Sequence, residues 1–76
     1  MTPKQCRAAR MAVGLSAHRL GKAAGLTKTV VLLFESGELT SVLIRDKLQQ
    51  TLEAAGVEFV AANGSEASVR LGQPAS

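Results

Sequence analysis

Seventy-six residues suffice for one small domain and leave no length for a second core. Apolar residues make up 46% of the chain, but only two are aromatic, so a core has to be assembled from Leu, Val, Ile and Ala, as packed helices do. A formal charge of +3 and a pI near 9.6 favour an anionic partner such as nucleic acid, and the single cysteine, Cys6, excludes an internal disulfide and suits a reducing cytoplasm.

Thr2-Pro3-Lys4-Gln5 spells a capping box: Thr2 caps, Pro3 takes the first helical position and Gln5 reaches back. The first helix runs from there to about 13 and stops at Gly14. Ser16 caps a second helix, about 17–24, which stops at Gly25, and Thr27 caps a third, about 28–36, which stops at Gly37. The linker Glu38-Leu39-Thr40-Ser41 leads into a longer helix ending at Gly56. There Ile44, Leu48, Leu52 and Ala55 recur at spacings of four, four and three, one buried stripe. After Gly56 the period changes to two. Val57-Glu58-Phe59-Val60 and Ser68-Val69-Arg70-Leu71 alternate like strands on either side of the turn signal Asn63-Gly64. The small, polar residues 72–76 read as a frayed end. No apolar run approaches the ~18 residues of a membrane span, and the amino terminus lacks a signal-peptide hydrophobic region, so a soluble intracellular protein is expected.

The third helix carries five apolar residues in a row, Val30 to Phe34, and a helix this short cannot bury every side. If Val31 and Phe34 point inward, Lys28, Thr29, Leu32 and Leu33 form the outer and flanking face.

The stretch GLSAHRLGKAAGLTKTVVLLFESG, residues 14–37, resembles the helix-turn-helix of Cro- and phage-repressor-like regulators, the xenobiotic-response-element (XRE) family. The likeness rests on Leu15-Ser16 opening the second helix, Leu20 inside it and the small Gly21. It continues through Gly25 in the turn, Thr27 as cap, Val31 and Phe34 inward, then Glu35 and Gly37. Gly21 lets the second and third helices approach closely, and Gly25 supplies the positive φ of a tight interhelical turn.

The resemblance implies a mainly α fold: a five-helix lambda-repressor-like DNA-binding domain over 1–56, a β hairpin or dimerisation strands over 57–71, and a flexible tail over 72–76. It also implies an ion pair between Arg10, near the end of the first helix, and Glu35, at the end of the third. Arg10 lies four residues after Cys6 and three before Val13, so it points into the domain and needs a partner there; two unrelated surface charges are the alternative.

In a family member the outer face of the third helix enters the DNA major groove. Lys28 then donates to a guanine, Thr29 bonds a base or phosphate, and Leu32 and Leu33 touch thymine methyl groups. Phosphates are met by Ser16 and the free N–H groups that begin at Ala17, by Thr27, Thr40 and Ser41 at other helix starts, and by Arg19, Lys22 and Arg45. Members commonly carry glutamine where this chain has Ala17, and polar residues or arginines where it has Leu32 and Leu33. Those departures weaken hydrogen-bond readout and leave open a second use of the third helix, binding another protein.

The implied function is a bacterial or phage-type transcriptional regulator, a homodimer on a palindromic operator, repressing or autoregulating, in the cytoplasm and on the nucleoid when bound to double-stranded DNA. The alternative is an interaction module, an antagonist that grips another regulator through the apolar third helix. A domain this small buries only ~60% of its unfolded surface, so dimerisation is a natural source of stability. The alternating Val57, Phe59, Val69 and Leu71 are the expected dimer interface, because an isolated hairpin is marginal in water; strands that fold back over helices 1 and 5 of their own subunit are the alternative. His18 has no second ligand at metal spacing and reads as an exposed histidine. Cys6 reads as a small apolar core residue. No nucleophile–base pair, phosphate-binding glycine loop or carboxylate pair stands out, so neither an enzyme, a metal nor a cofactor is expected.

Overall fold

A computed structural model describes residues 1–60 and 68–71 of the chain. They form four helices, α1 (Pro3–Ala12), α2 (Ala17–Ala23), α3 (Lys28–Glu35) and α4 (Val42–Ala54), followed by two strands, β1 (Val57–Val60) and β2 (Ser68–Leu71). The fold is mainly helical, and the fifth helix expected from the resemblance is not among the described residues. No periodic apolar segment remains in the sequence to build one. The Asn63-Gly64 turn and the 72–76 end lie outside the described residues.

Each helix starts where a hydroxyl can take over an orphan backbone donor. Thr2 Oγ1 accepts from Gln5 N at 3.1 Å while Thr2 N donates to Gln5 Oε1 at 2.8 Å, the capping box read from the sequence. Ser16, Thr27 and Ser41 repeat the accepting half, from Arg19 N, Val30 N and Ile44 N at 3.1, 3.2 and 3.3 Å. At the other ends, Val13, Ala24 and Ser36 act as caps rather than as the last helical residues. Ala55 does the same for α4 and is exposed, so the expected stripe ends at Leu52.

One core joins the four helices and β1. Cys6 and Ala9 from α1, Ala17 and Leu20 from α2, Val31 and Phe34 from α3, Leu48 and Leu52 from α4, and Val57 from β1 are buried together. Gly21 is what lets α2 and α3 close on each other: a β-carbon there would sit 2.8 Å from both the carbonyl carbon and the oxygen of Thr27. Gly25, in the intervening turn, takes a φ of +73°, open to glycine at no steric cost.

The strands pair antiparallel in the register Val57↔Leu71 and Phe59↔Val69. They lie on the helices of their own chain, β1 beside α4 and β2 beside α1. Val57 is only 4% exposed and Phe59 packs partly buried against the core. For Val57 and Phe59 this corrects the premise that they need a second subunit to cover them, and it carries the core past residue 56; the side chains of Val69 and Leu71 lie outside those described. Among the described residues no helix is long and apolar enough to cross a membrane.

Candidate functional site

The face of α3 divides as its spacing requires. Val31 and Phe34 are buried, and Lys28 and Thr29 are exposed at the amino-terminal end. Leu32 and Leu33 are 43% and 37% exposed, large aliphatic side chains partly covered by the chain and open to solvent on their outer side. Thr29, Leu33 and Ser36, spaced by four and three, make one exposed row, and Lys28 and Leu32 the row beside it. Ser36 is a residue the sequence reading passed over. Its hydroxyl donates to the Leu33 carbonyl at 2.9 Å and lies 3.3 Å from Glu38 Oε2, so it closes the helix end and brings an acidic group close to that row.

What holds α3 in place is an ion pair. Arg10 Nε donates to Glu35 Oε2 at 2.8 Å and Nη2 to Oε1 at 3.0 Å, a two-pronged contact with the side chains 14% and 5% exposed. The expected pair is therefore present, and the guanidinium does more than pair. Its Nη1 donates to the Leu15 carbonyl at 3.1 Å, so one side chain ties the end of α1, the entry to α2 and the end of α3. Glu35 holds the Arg10 guanidinium more firmly in its charged form. Cys6 Sγ donates to Glu35 Oε2 at 3.7 Å. Burial first, then the nearby carboxylate, push this thiol up to about 12, the reverse of activation. No sequence signal marks the Leu15 carbonyl, because backbone acceptors carry no side-chain signature. Cys6 was legible only as an inward residue one turn before Arg10.

The candidate phosphate contacts separate into three kinds. Arg19 and Lys22 are exposed and share one hollow of about 470 Å³ with Leu15 and His18, so α2 presents its cations together. Ser16 and Thr27 are exposed, and each uses oxygen lone pairs to cap its helix while retaining a hydroxyl proton to donate. Ser41 caps α4 in the same way but is half-buried, and Thr40 beside it is exposed. The third kind depends on its surroundings. The Ala17 side chain is buried in the core, so the contact expected there rests on its backbone N–H at the start of α2. Arg45 Nη2 lies 3.3 Å from Asp46 Oδ1, a solvent-exposed pair between neighbours in the chain.

Among the described residues no three His, Cys, Asp or Glu side chains come together as metal ligands would. The chain matches no model of a known protein family and no curated protein.

Proposed function

We propose that this chain is a sequence-specific DNA-binding transcriptional regulator of the helix-turn-helix kind, acting as a homodimer on a palindromic operator and repressing by occupying it. The observation that carries the reading is the exposed amino-terminal end of α3, with Lys28 and Thr29 outward, on a helix locked to its scaffold by Arg10–Glu35 and the Gly21 contact. A rigid helix with a cation and a hydroxyl at its leading end suits base edges in the major groove. The exposed Arg19 and Lys22, with the Ser16 and Thr27 hydroxyls, supply phosphate contacts on either side. On this reading the protein is a binder without cofactor, working in the cytoplasm.

The exposure of Leu32 and Leu33 favours one second reading, an antagonist that grips another regulator through α3. The same two experiments separate them. A DNA regulator selects a palindromic site from a random pool, and its affinity falls steeply as salt rises. Lys28→Ala is expected to lower affinity for that site by ~1–3 kcal/mol and to relax preference at one base pair, with Leu32→Ala and Leu33→Ala acting at thymines. If folded variants at all three positions bind as the parent does, α3 is not the reader; if no site is selected at all, the antagonist reading takes over.

A further inference from the structure

The start of α4 presents two adjacent aliphatic side chains that nothing in the described chain covers, Val42 at 64% and Leu43 at 65% exposure. Beside them a groove of about 410 Å³ runs between the start of α1, the end of α3 and α4. Its walls include Met1, Pro3, Phe34, Leu39 and Val42, with Arg45 at one end. A protruding aliphatic pair next to an aliphatic depression suits a two-fold contact, because each copy offers both halves. We infer that this face is where two copies of the chain meet, Val42 and Leu43 of one copy lying against the groove of the other. The inference deepens the homodimer of the proposed function and rests on that reading for its purpose, a two-fold protein on a two-fold site.

Three observations point to a second copy as the occupant. The first is charge. Two chains of +3 repel each other, and Arg19, Lys22 and Lys28 concentrate that repulsion around α2 and α3. At the start of α4, Arg45 and Asp46 are neighbours of opposite sign, which leaves the Met1 ammonium as the uncompensated charge beside the groove, so this face is less positive than that of α2 and α3. Across a two-fold axis, Arg45 of each copy can exchange its own Asp46 for that of the opposite copy, giving two ion pairs between chains. The second observation is an orphan donor: Arg45 Nε is buried without an acceptor in the single chain. Such a donor is uncommon in a settled structure, and a guanidinium that swings to the opposite copy relieves it. The third is that the competing face is in use, since Val57 and Phe59 pack on the helices of their own subunit.

Sedimentation of the full chain without DNA tests the contact. The parent is expected to show a reversible monomer–dimer equilibrium. Val42→Asp and Leu43→Asp, at positions exposed in the single chain, are expected to keep the parent's helical circular dichroism and raise the dimer dissociation constant by ~30-fold or more. Arg45→Asp and Asp46→Arg are each expected to weaken self-association by bringing like charges together. An equimolar mixture of those two variants regains it, because their charges are complementary. A parent that stays monomeric at millimolar concentration overturns the inference, as does a dimer indifferent to the Val42 and Leu43 changes. A mixture that fails to recover overturns the Arg45–Asp46 exchange that defines the contact. With no DNA present, these failures leave the DNA-binding reading standing. Loss of site selection in a chain that still dimerises is the failure of that reading alone.

Discussion

At Glu35 one carboxylate receives two N–H bonds from Arg10 and the Cys6 thiol, in a setting where water reaches little of it. Removing one partner of such a pair costs more than the pair contributes, because the survivor is left buried and unpaired. Arg10→Ala and Glu35→Ala are each expected to destabilise by ~3 kcal/mol in urea unfolding. Arg10→Ala is expected to cost more, since the stranded carboxylate is the less exposed group and the Leu15 carbonyl also loses its donor. The double variant should cost clearly less than the sum; simple additivity would mean the two groups act independently. Cys6 makes a separate, pH-dependent contribution. An unfolded thiol ionises near 9.0, whereas the folded one is pushed up to about 12 by burial and by Glu35. Between those values the unfolded chain sheds a proton that the folded chain keeps. This contribution is therefore complete below pH 9 and declines as pH rises towards 12, by roughly 1.4 kcal/mol per pH unit. Unfolding free energies measured across this window should fall more steeply for the parent than for Cys6→Ala, and parallel curves would rule the effect out.

Among the elements, α2 and α3 are joined most tightly at Gly21, where the obstacle to any side chain is the Thr27 backbone rather than a movable side chain. Gly21→Ala is expected to cost ~2–3 kcal/mol, as overpacking against fixed atoms does. Gly25→Ala faces open space and carries only the positive-φ penalty, about 1 kcal/mol. Melting temperatures of the two variants should fall in that order, and the reverse order would mean that α2 can slide away from Thr27. This level of organisation was largely legible in the sequence. The hydroxyls of Thr2, Ser16, Thr27 and Ser41 and the glycines that follow each helix have local, short-range causes, and a local cause leaves a local signature. The helix ends were read one residue long because a cap residue such as Val13, with φ −94° and ψ 5°, has no side-chain feature to set it apart. Ala55 continues the apolar spacing beyond the last helical turn, so periodicity alone extended the buried stripe too far. The fifth helix came from resemblance and had no residues of its own to rest on.

For the molecule as a whole, β1 belongs to the same core as the helices. Alternation identified the strands but could not say what covers them, because it reports an apolar face and not the neighbour on it. The structure answers with α1 and α4 of the same chain. Cutting the chain after Gly56 therefore removes Val57 from a place that α4 and the helical core leave for it. Truncation is expected to lower stability by at least the ~2 kcal/mol of a large-to-small core change, and Val57→Ala by a somewhat smaller amount. Equilibrium unfolding of the truncated chain checks this; an unchanged urea midpoint would show that the helices hold without the strands. For the candidate site, helical spacing together with the family resemblance pointed to the outward residues of α3, and the resemblance to the Arg10–Glu35 pair. It gave no hint of the Arg10 bond to the Leu15 carbonyl or of the exposed start of α4, both of which depend on how distant segments meet.

The Gly21–Thr27 contact also bears on how such a chain can diverge over generations. The pitch of α3 against α2 is set by main-chain atoms, so substitutions elsewhere on the surface cannot gradually re-aim it. Variation is channelled instead into Lys28, Thr29, Leu32, Leu33 and Ser36, whose side chains all face away from the core. Exchanges at such surface positions usually stay within about 0.5 kcal/mol of neutrality for stability. Descendants of this chain can thus vary this face one side chain at a time, on an inherited frame that does not have to be rebuilt; on the proposed reading each such change is a change of target.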